Sequence, residues 1–421
     1  MVKRKVLVVG SGGREHALVW KLAREGWDVW AAPGNAGMRD VASCIPVKAT
    51  DLAVLTERAA MDRFDLVVIG PEQPLTLGLA DRLSSHSLAV FGPRADAARI
   101  EGSKIFAKRL MEEFAVPTAG FRIFESPESA LEFIASPPFG YPLVVKADGL
   151  AAGKGVVVAG DRQTASDAVA SMMVDHKFGG AGDRIIIEEC LTGTEVSFFA
   201  LAYGAGAVPL GSAQDYKRLL DGDRGPNTGG MGSISPSPLV DSAVVGRIME
   251  TVVLPVVEGM SRKGCEFRGL LYAGLMMTPD GPKVLEFNCR FGDPETQPLM
   301  LTLENGLGDA MAAVARGERP EVPAVRDGAA VCVVMASSGY PETPEVGKAI
   351  SGLDVAESKG AVVFHAGTVM RDGHILTSGG RVLAVCAWGG TRLDARQKAY
   401  EGVSAIGFEG MQCRGDIASG C

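Results

Sequence analysis

The sequence has no Cys-x-x-Cys pair and no cysteine–histidine spacing of the kind that binds zinc, although it holds eight cysteines. They are scattered. Cys44, Cys190, Cys289, Cys332 and Cys386 sit beside strand-like or apolar segments, where a reduced cysteine serves as a small hydrophobe. The five histidines do not cluster, so neither a transition-metal centre nor a histidine-based triad is supported. No apolar run reaches the roughly 20 residues needed to span a bilayer. Val6–Val9 is too short for a signal-peptide core despite the basic Met1–Lys5 before it, so a cytoplasmic protein without a membrane partner is expected. Basic excess is missing too: 42 Lys and Arg against 50 Asp and Glu give a formal charge of −8, the wrong sign for a nucleic-acid surface. Small anionic substrates stay open, because local lysines and backbone amides can hold them. There is no internal repeat and no low-complexity tract.

What is present is ordinary globular composition, 47% hydrophobic and 22% charged, in a chain of 421 residues that is too long for one core. Up to residue 101, short apolar strands (Val6–Val9, Val29–Ala31, Leu66–Ile69, Ala89–Phe91) alternate with helical stretches, the rhythm of a doubly wound parallel sheet. A central unit follows over 102–318. It opens with a helix over Gly102–Phe114, contains a compact insertion at about 121–191, and has helices expected at Asp241–Lys263 and Gly306–Arg316. Between Gln214 and Ser235 runs a polar, glycine-rich loop longer than compact domains tolerate without a role. After the Pro-rich Arg319–Val325, a small strand-rich unit occupies 326–421. The fold class is therefore α/β and multidomain.

The most informative stretch is Val284–Glu295. It begins as a strand, so Glu286 and Asn288 share a face and offer a carboxylate and an amide oxygen, hard ligands suited to Mg²⁺ clamped between phosphates. Arg290 brings a fixed cation nearby. A buried strand that merely carries polar residues is the bland alternative. Leu143–Val158 reads as two strands joined by a glycine loop, with Lys146 ending the first strand and Lys154 in the loop. Such a flap can close over a polyphosphate, although a plain flexible hairpin has the same outline. It is not a Walker loop, since Lys154 precedes Gly155 and a strand. Gly10–His16 follows the first strand and opens a helix, which suits a phosphate-binding turn. A tight turn without ligand also fits. The dinucleotide fingerprint fails because Glu15 stands at its third glycine. Pro33–Gly37 and Gly70–Leu75 fall on the same rim of the sheet.

Taken in order, a strand lysine, a glycine flap, an acidic hinge (Ile185–Leu191) and a metal-bearing strand resemble the ATP-grasp superfamily. Gly12–Ala17, Ala32–Gly37, Gly70–Glu72, Glu101–Lys104, Lys146–Gly155, Gly225–Gly232, Glu286–Pro298, Phe364–Thr368 and Gly379–Val382 are similar to the motifs of the glycinamide ribonucleotide synthetase (phosphoribosylamine–glycine ligase) family. The resemblance covers nearly the whole chain. It implies an ATP-grasp core of two α+β subdomains. It also implies an ADP-forming ligase that joins glycine to 5-phosphoribosylamine through a glycyl phosphate, the second step of purine biosynthesis, with ATP and Mg²⁺ or Mn²⁺. Such an enzyme takes small-molecule substrates and is expected to act as a monomer. Carried over residue by residue, Lys104, Lys146, Gly153, Lys154 and Gly155 are expected on ATP phosphates. Glu188, Leu191 and Glu195 are expected on adenine and ribose, and Glu286 and Asn288 on the metal. Arg290, with Lys146 and Asp293, is expected at the chemistry. Gly12, Gly13, Arg14, Asn35 and Glu72 should face the phosphoribosylamine, while Asp215, Asn227, Gly229, Gly230 and Met231 should shape the acceptor pocket. Tyr216 stands where relatives often carry His, and the strand Leu270–Met277 has no acid where many ATP-grasp enzymes have a second one. A carboxylase-type purine ligase, an NAD-dependent oxidoreductase and a non-catalytic nucleotide-binding module are the rival readings.

Overall fold

The computed structural model describes residues 3–150 and 155–420. Five parallel strands form the N-terminal sheet in the order Ser43–Cys44, Asp28–Pro33, Lys5–Gly10, Leu66–Ile69, Val90–Phe91. The strand order reverses direction at Lys5–Gly10, and there the loops after Gly10 and after Ile69 open side by side, forming the crevice where doubly wound sheets bind ligands.

The insertion is a separate four-stranded antiparallel sheet, ordered Phe121–Phe124, Ile185–Glu189, Leu143–Ala147, Val156–Ala159. Helices Pro127–Ala135 and Arg162–Val169 cover it. Its apolar side chains, among them Phe124, Ile134, Leu143, Val145 and Ile187, form a core of their own, so it packs as a separate unit.

Eight antiparallel strands make the largest sheet. Its order is Gly281–Asn288, Phe267–Thr278, Thr194–Gly204, Ala207–Asp215, Gly232–Ser235, Ala329–Ala336, Arg381–Gly389, Val362–His365. The expected loop over 214–235 is thus in part ordered backbone. Arg218–Leu220 and Arg224–Asn227 pair as a hairpin, and Gly232–Ser235 bridges Ala207–Asp215 to Ala329–Ala336. One continuous sheet therefore runs from the central unit into the C-terminal one. The helix expected at Asp241–Lys263 spans Ser242–Arg262 with a π-helical turn at Met249–Val253, just ahead of Pro255, whose missing N–H a regular helix would leave unmatched. The helix expected from Gly102 begins at Lys104, capped by Ser103, whose hydroxyl accepts from Phe106 N–H.

Candidate active site

Glu286 and Asn288 lie on the edge strand of the large sheet, and the pairing there is irregular. Gly274 faces Glu286 and Leu275 faces Val284, which leaves Leu285 as an extra residue. A bulge of this kind re-aims its neighbours, and the Leu285 carbonyl accepts from Lys146 Nζ at 3.3 Å. Lys146 reaches it from the lid strand and also lies 2.9 Å from Glu188. Lys104, at the start of its helix, donates to the Gly149 carbonyl at 2.8 Å, beside the flap. The carboxyl of Glu286 stands amid these cations. Desolvation alone would raise its pKa, but Lys217, Lys146, Lys104 and Arg290 together bring it below the ordinary carboxylate value. Burial lowers Lys104, with Glu286 opposing that shift. A surplus of ammonium groups around one anionic metal ligand is what a polyphosphate needs.

Arg290 joins this half-site to the N-terminal sheet. Its Nη2 is 2.9 Å from Glu101 and its Nε is 3.4 Å from Glu72, while Glu101 also accepts the Cys289 N–H at 2.7 Å. Burial raises the Glu101 carboxyl, and Arg290 opposes this. For Glu72, desolvation is overcome by Arg290 and Arg14, and its pKa falls.

The turn expected to cradle a phosphate is filled by protein carboxylates. Glu15 accepts the Gly12 N–H at 2.6 Å and the Arg14 Nε–H at 2.5 Å. A side chain at Gly70 would collide with it. Asp293 faces the Arg14 backbone amide; desolvation pushes its pKa up, but Arg381 and Arg14 hold it below the usual range. The positive end of the helix Gly13–Arg24 is therefore already neutralised, because a carboxylate meets the same N–H groups a phosphate would. Arg14 itself is buried, with Nη1 on the Phe291 carbonyl at 3.0 Å. Three further expected site residues already have partners within the protein. Asn35 spends its amide on Ser11 O, His365 O, Gly37 N and Met38 N, so its side chain shapes the loop. Met231 is fully buried in the core and can act on a substrate only from behind. Glu188 is also buried, and its Oε2 is clasped by Lys108 at 3.1 Å as well as by Lys146, while Oε1 makes no hydrogen bond among the described residues. Gly153 and Lys154 lie outside the described residues.

On the acceptor side, Asp215, at the end of its strand, is pushed up to about 7 by desolvation, with Glu295 and Glu195 adding to the shift and Lys217 opposing it. Lys217 pairs with Glu195, the residue expected on ribose; burial would lower its pKa, but Asp215, Glu195 and Glu286 raise it. Leu191 is half-buried in the hinge, whereas Asn227 and Gly229 are exposed on the hairpin and Gly230 is buried behind them. Lys108, Lys217, Glu101 and Arg381 were not singled out for a role from sequence. Glu101 and Arg381 sat inside recognised motifs without a stated role, and no local spacing marks Lys108 or Lys217.

Three of the five buried side-chain polar atoms that lack a hydrogen-bond partner among the described residues belong to this region: Glu188 Oε1, Arg290 Nε and Gln297 Oε1. Native proteins leave few such atoms, and polar ligands in the cleft would satisfy them. Among the described residues no group of three or more His, Cys, Asp or Glu is arranged to hold a metal. Glu286 and Asn288 offer a carboxylate and an amide oxygen, which would suit Mg²⁺, an ion commonly held by one or two protein oxygens with substrate phosphates.

A lysine-lined cleft between a separate antiparallel lid and a strand carrying two hard ligands defines an enzyme of the ATP-grasp class. The chain belongs to the phosphoribosylglycinamide synthetase family: profiles of that family match its N domain at residues 4–101, its ATP-grasp (A) domain at 102–296 and its C domain at 330–420. It is 47% identical over 99% of its length to phosphoribosylamine–glycine ligase of Caulobacter vibrioides, covering 98% of that protein. It is also similar to the crystal structure of phosphoribosylamine–glycine ligase from Thermotoga maritima, with TM-score 0.87 and 37% identity, over 98% of this chain and all of that one. Biotin carboxylase from Campylobacter jejuni, solved as a β,γ-ATP complex, shares the fold at 14% identity and TM-score 0.74, over 97% of this chain and 93% of its own.

Proposed function

We propose that the protein ligates glycine to 5-phosphoribosylamine at the expense of ATP, forming glycinamide ribonucleotide, ADP and phosphate, the second step of purine synthesis. A glycine carboxylate oxygen attacks the γ-phosphorus and ADP leaves. The ribosylamine nitrogen then attacks the glycyl carbonyl, phosphate leaves, and the nitrogen loses a proton. Phosphoryl transfer of this kind needs positioning and charge neutralisation rather than a protein nucleophile. Lys104 and Lys146 hold the phosphates, and Glu286 and Asn288 would hold Mg²⁺ or Mn²⁺, which would supply charge neutralisation. The hinge residues Glu188 and Leu191 receive adenine, and Glu195 the ribose. The observation that carries the reading is Arg290, seated between Glu101 and Glu72. It puts a cation where the nucleotide half-site and the N-terminal crevice meet, as transfer from one to the other requires.

On this reading residues 1–101 present the amine, 102–318 hold the nucleotide under the lid at 121–191, and 326–421 close the acceptor side. Asp215, at the end of its strand, shapes the acceptor pocket. The substrates are small molecules, and a cytoplasmic monomer suffices. Among the described residues no helix is long and apolar enough to cross a membrane. The test is ADP release with glycine and freshly formed phosphoribosylamine, each omitted in turn. Full turnover without either one overturns the proposal.

A further inference from the structure

The segment from Asp215 to Gly232 carries most of the expected acceptor residues, yet residues 221–227 and Gly229 are exposed. Its shape comes from outside, and both of its ends are held by the C-terminal unit.

At the near end, Arg414 has only 1% of its side chain exposed. Its Nη1 donates to the Arg218 carbonyl at 3.1 Å and to Asp223 at 2.8 Å, while Nε and Nη2 each meet Asp416 at 2.7 Å. Asp416 in turn accepts the Gly222 N–H at 2.8 Å, and Asp221 accepts the Gly415 N–H at 2.8 Å. The Arg414 guanidinium lies over the Tyr216 ring, whose hydroxyl accepts the Ala418 N–H at 3.0 Å. At the far end, Tyr340 Oη accepts the Gly229 N–H at 2.8 Å. Arg381 Nη1 donates to Gly229 O at 2.5 Å and to Asp293 O at 2.7 Å, and Nη2 stands 3.4 Å from the Asp293 carboxylate.

We infer that the C-terminal unit sets the geometry of the acceptor pocket, with Arg381 and Arg414 as positioning residues that fix Asn227–Gly230 and Asp293 for the phosphorylated amine. An exposed polar hairpin loses chain entropy when it orders around a ligand, and prior tethering removes that cost from binding. The nucleotide lysines draw their support from elsewhere: Lys146 from Glu188 and Leu285, Lys104 from Gly149. Lys217 also links this segment to Glu195, but the tethers above hold neighbouring groups and not the nucleotide lysines, so loosening them should spare nucleotide binding. The inference rests on the reaction proposed above.

The experiment compares the full chain with Arg381→Met, Arg381→Lys, Arg414→Met and Tyr340→Phe. It measures KM for phosphoribosylamine, KM for ATP, and glycine-dependent exchange of ¹⁸O between bridging and non-bridging positions of ATP, which needs no acceptor. Losing a charge-assisted tether should raise the phosphoribosylamine KM about tenfold, and losing the Tyr340 hydroxyl about threefold. The ATP KM and the exchange rate should stay within about twofold in the same variants, and Arg381→Lys should recover part of the loss. An unchanged phosphoribosylamine KM in Tyr340→Phe and Arg381→Lys, both mild enough to fold, overturns the inference. So does a rise in both KM values in step. Absence of product from the unaltered chain is a different result and overturns the reaction itself.

Discussion

Arg290 Nη2 lies 2.9 Å from the buried carboxylate of Glu101, at the end of the helix Ala95–Gly102. Glu101 also takes the Cys289 N–H, so one acid fixes both the backbone that follows the metal strand and the cation proposed for the transferred phosphoryl group. Glu101→Gln keeps the size and one acceptor but removes the charge that seats Arg290. Turnover should fall about tenfold to a hundredfold, the worth of a charged hydrogen bond, with little change in ATP affinity. Steady-state kinetics with separate nucleotide-binding measurements check this, and an unaltered kcat refutes it.

The Glu286 side chain faces the cleft and is not part of the apolar core. Glu286→Ala should therefore leave the melting temperature near that of the parent while abolishing turnover, because removal of a metal ligand costs several kcal/mol of transition-state stabilisation. A folded variant with near-normal rate would end the assignment.

Lys108 and Glu188 are both buried, and desolvation brings the Lys108 ammonium down to about 8 even with Glu188 beside it. Lys108 also donates to Thr118 Oγ1, which in turn donates to the Val284 carbonyl, linking the hinge strand to the metal strand. Lys108→Met leaves Glu188 with Lys146 as its one remaining lysine partner and should cost about 3–5 kcal/mol of stability. Adding Glu188→Gln should return part of that loss, because the under-compensated charge is gone. Denaturant melts of the two single variants and the double decide it; additive losses would argue that the pair is not coupled.

His16 and His365 meet where the N-terminal helix touches the C-terminal unit, with the His365 backbone N–H donating to His16 Nδ1 at 2.8 Å. Burial, and for His16 the neighbouring His365, lowers His16 to about 3, while burial lowers His365 to about 4. The unfolded chain thus binds more protons than the folded one from about pH 6.5 downward, so stability should be full above that pH and fall as pH drops toward about 4. Melting temperature against pH tests this, and His365→Asn should flatten the slope over that window.

Much of this was legible in the sequence because it depends on short-range regularities. The alternation of the first hundred residues gave the parallel sheet, and the two-residue period of a strand put Glu286 and Asn288 on one face whatever lay around them. Glu15 in the fingerprint excluded a dinucleotide turn, and the structure gives the reason: its carboxylate fills the space over Gly12 and Gly70. Tertiary structure alone decided where charges found their partners. Asp293 neutralises the helix end that spacing reserved for phosphate, Glu188 belongs to two lysines before any adenine, and Arg414 reaches back to a hairpin far away in the chain. Backbone periodicity is set by steric rules acting over a few residues, whereas the partner of a buried charge is set by which distant segments packing brings within about 3–4 Å, and no local pattern records that.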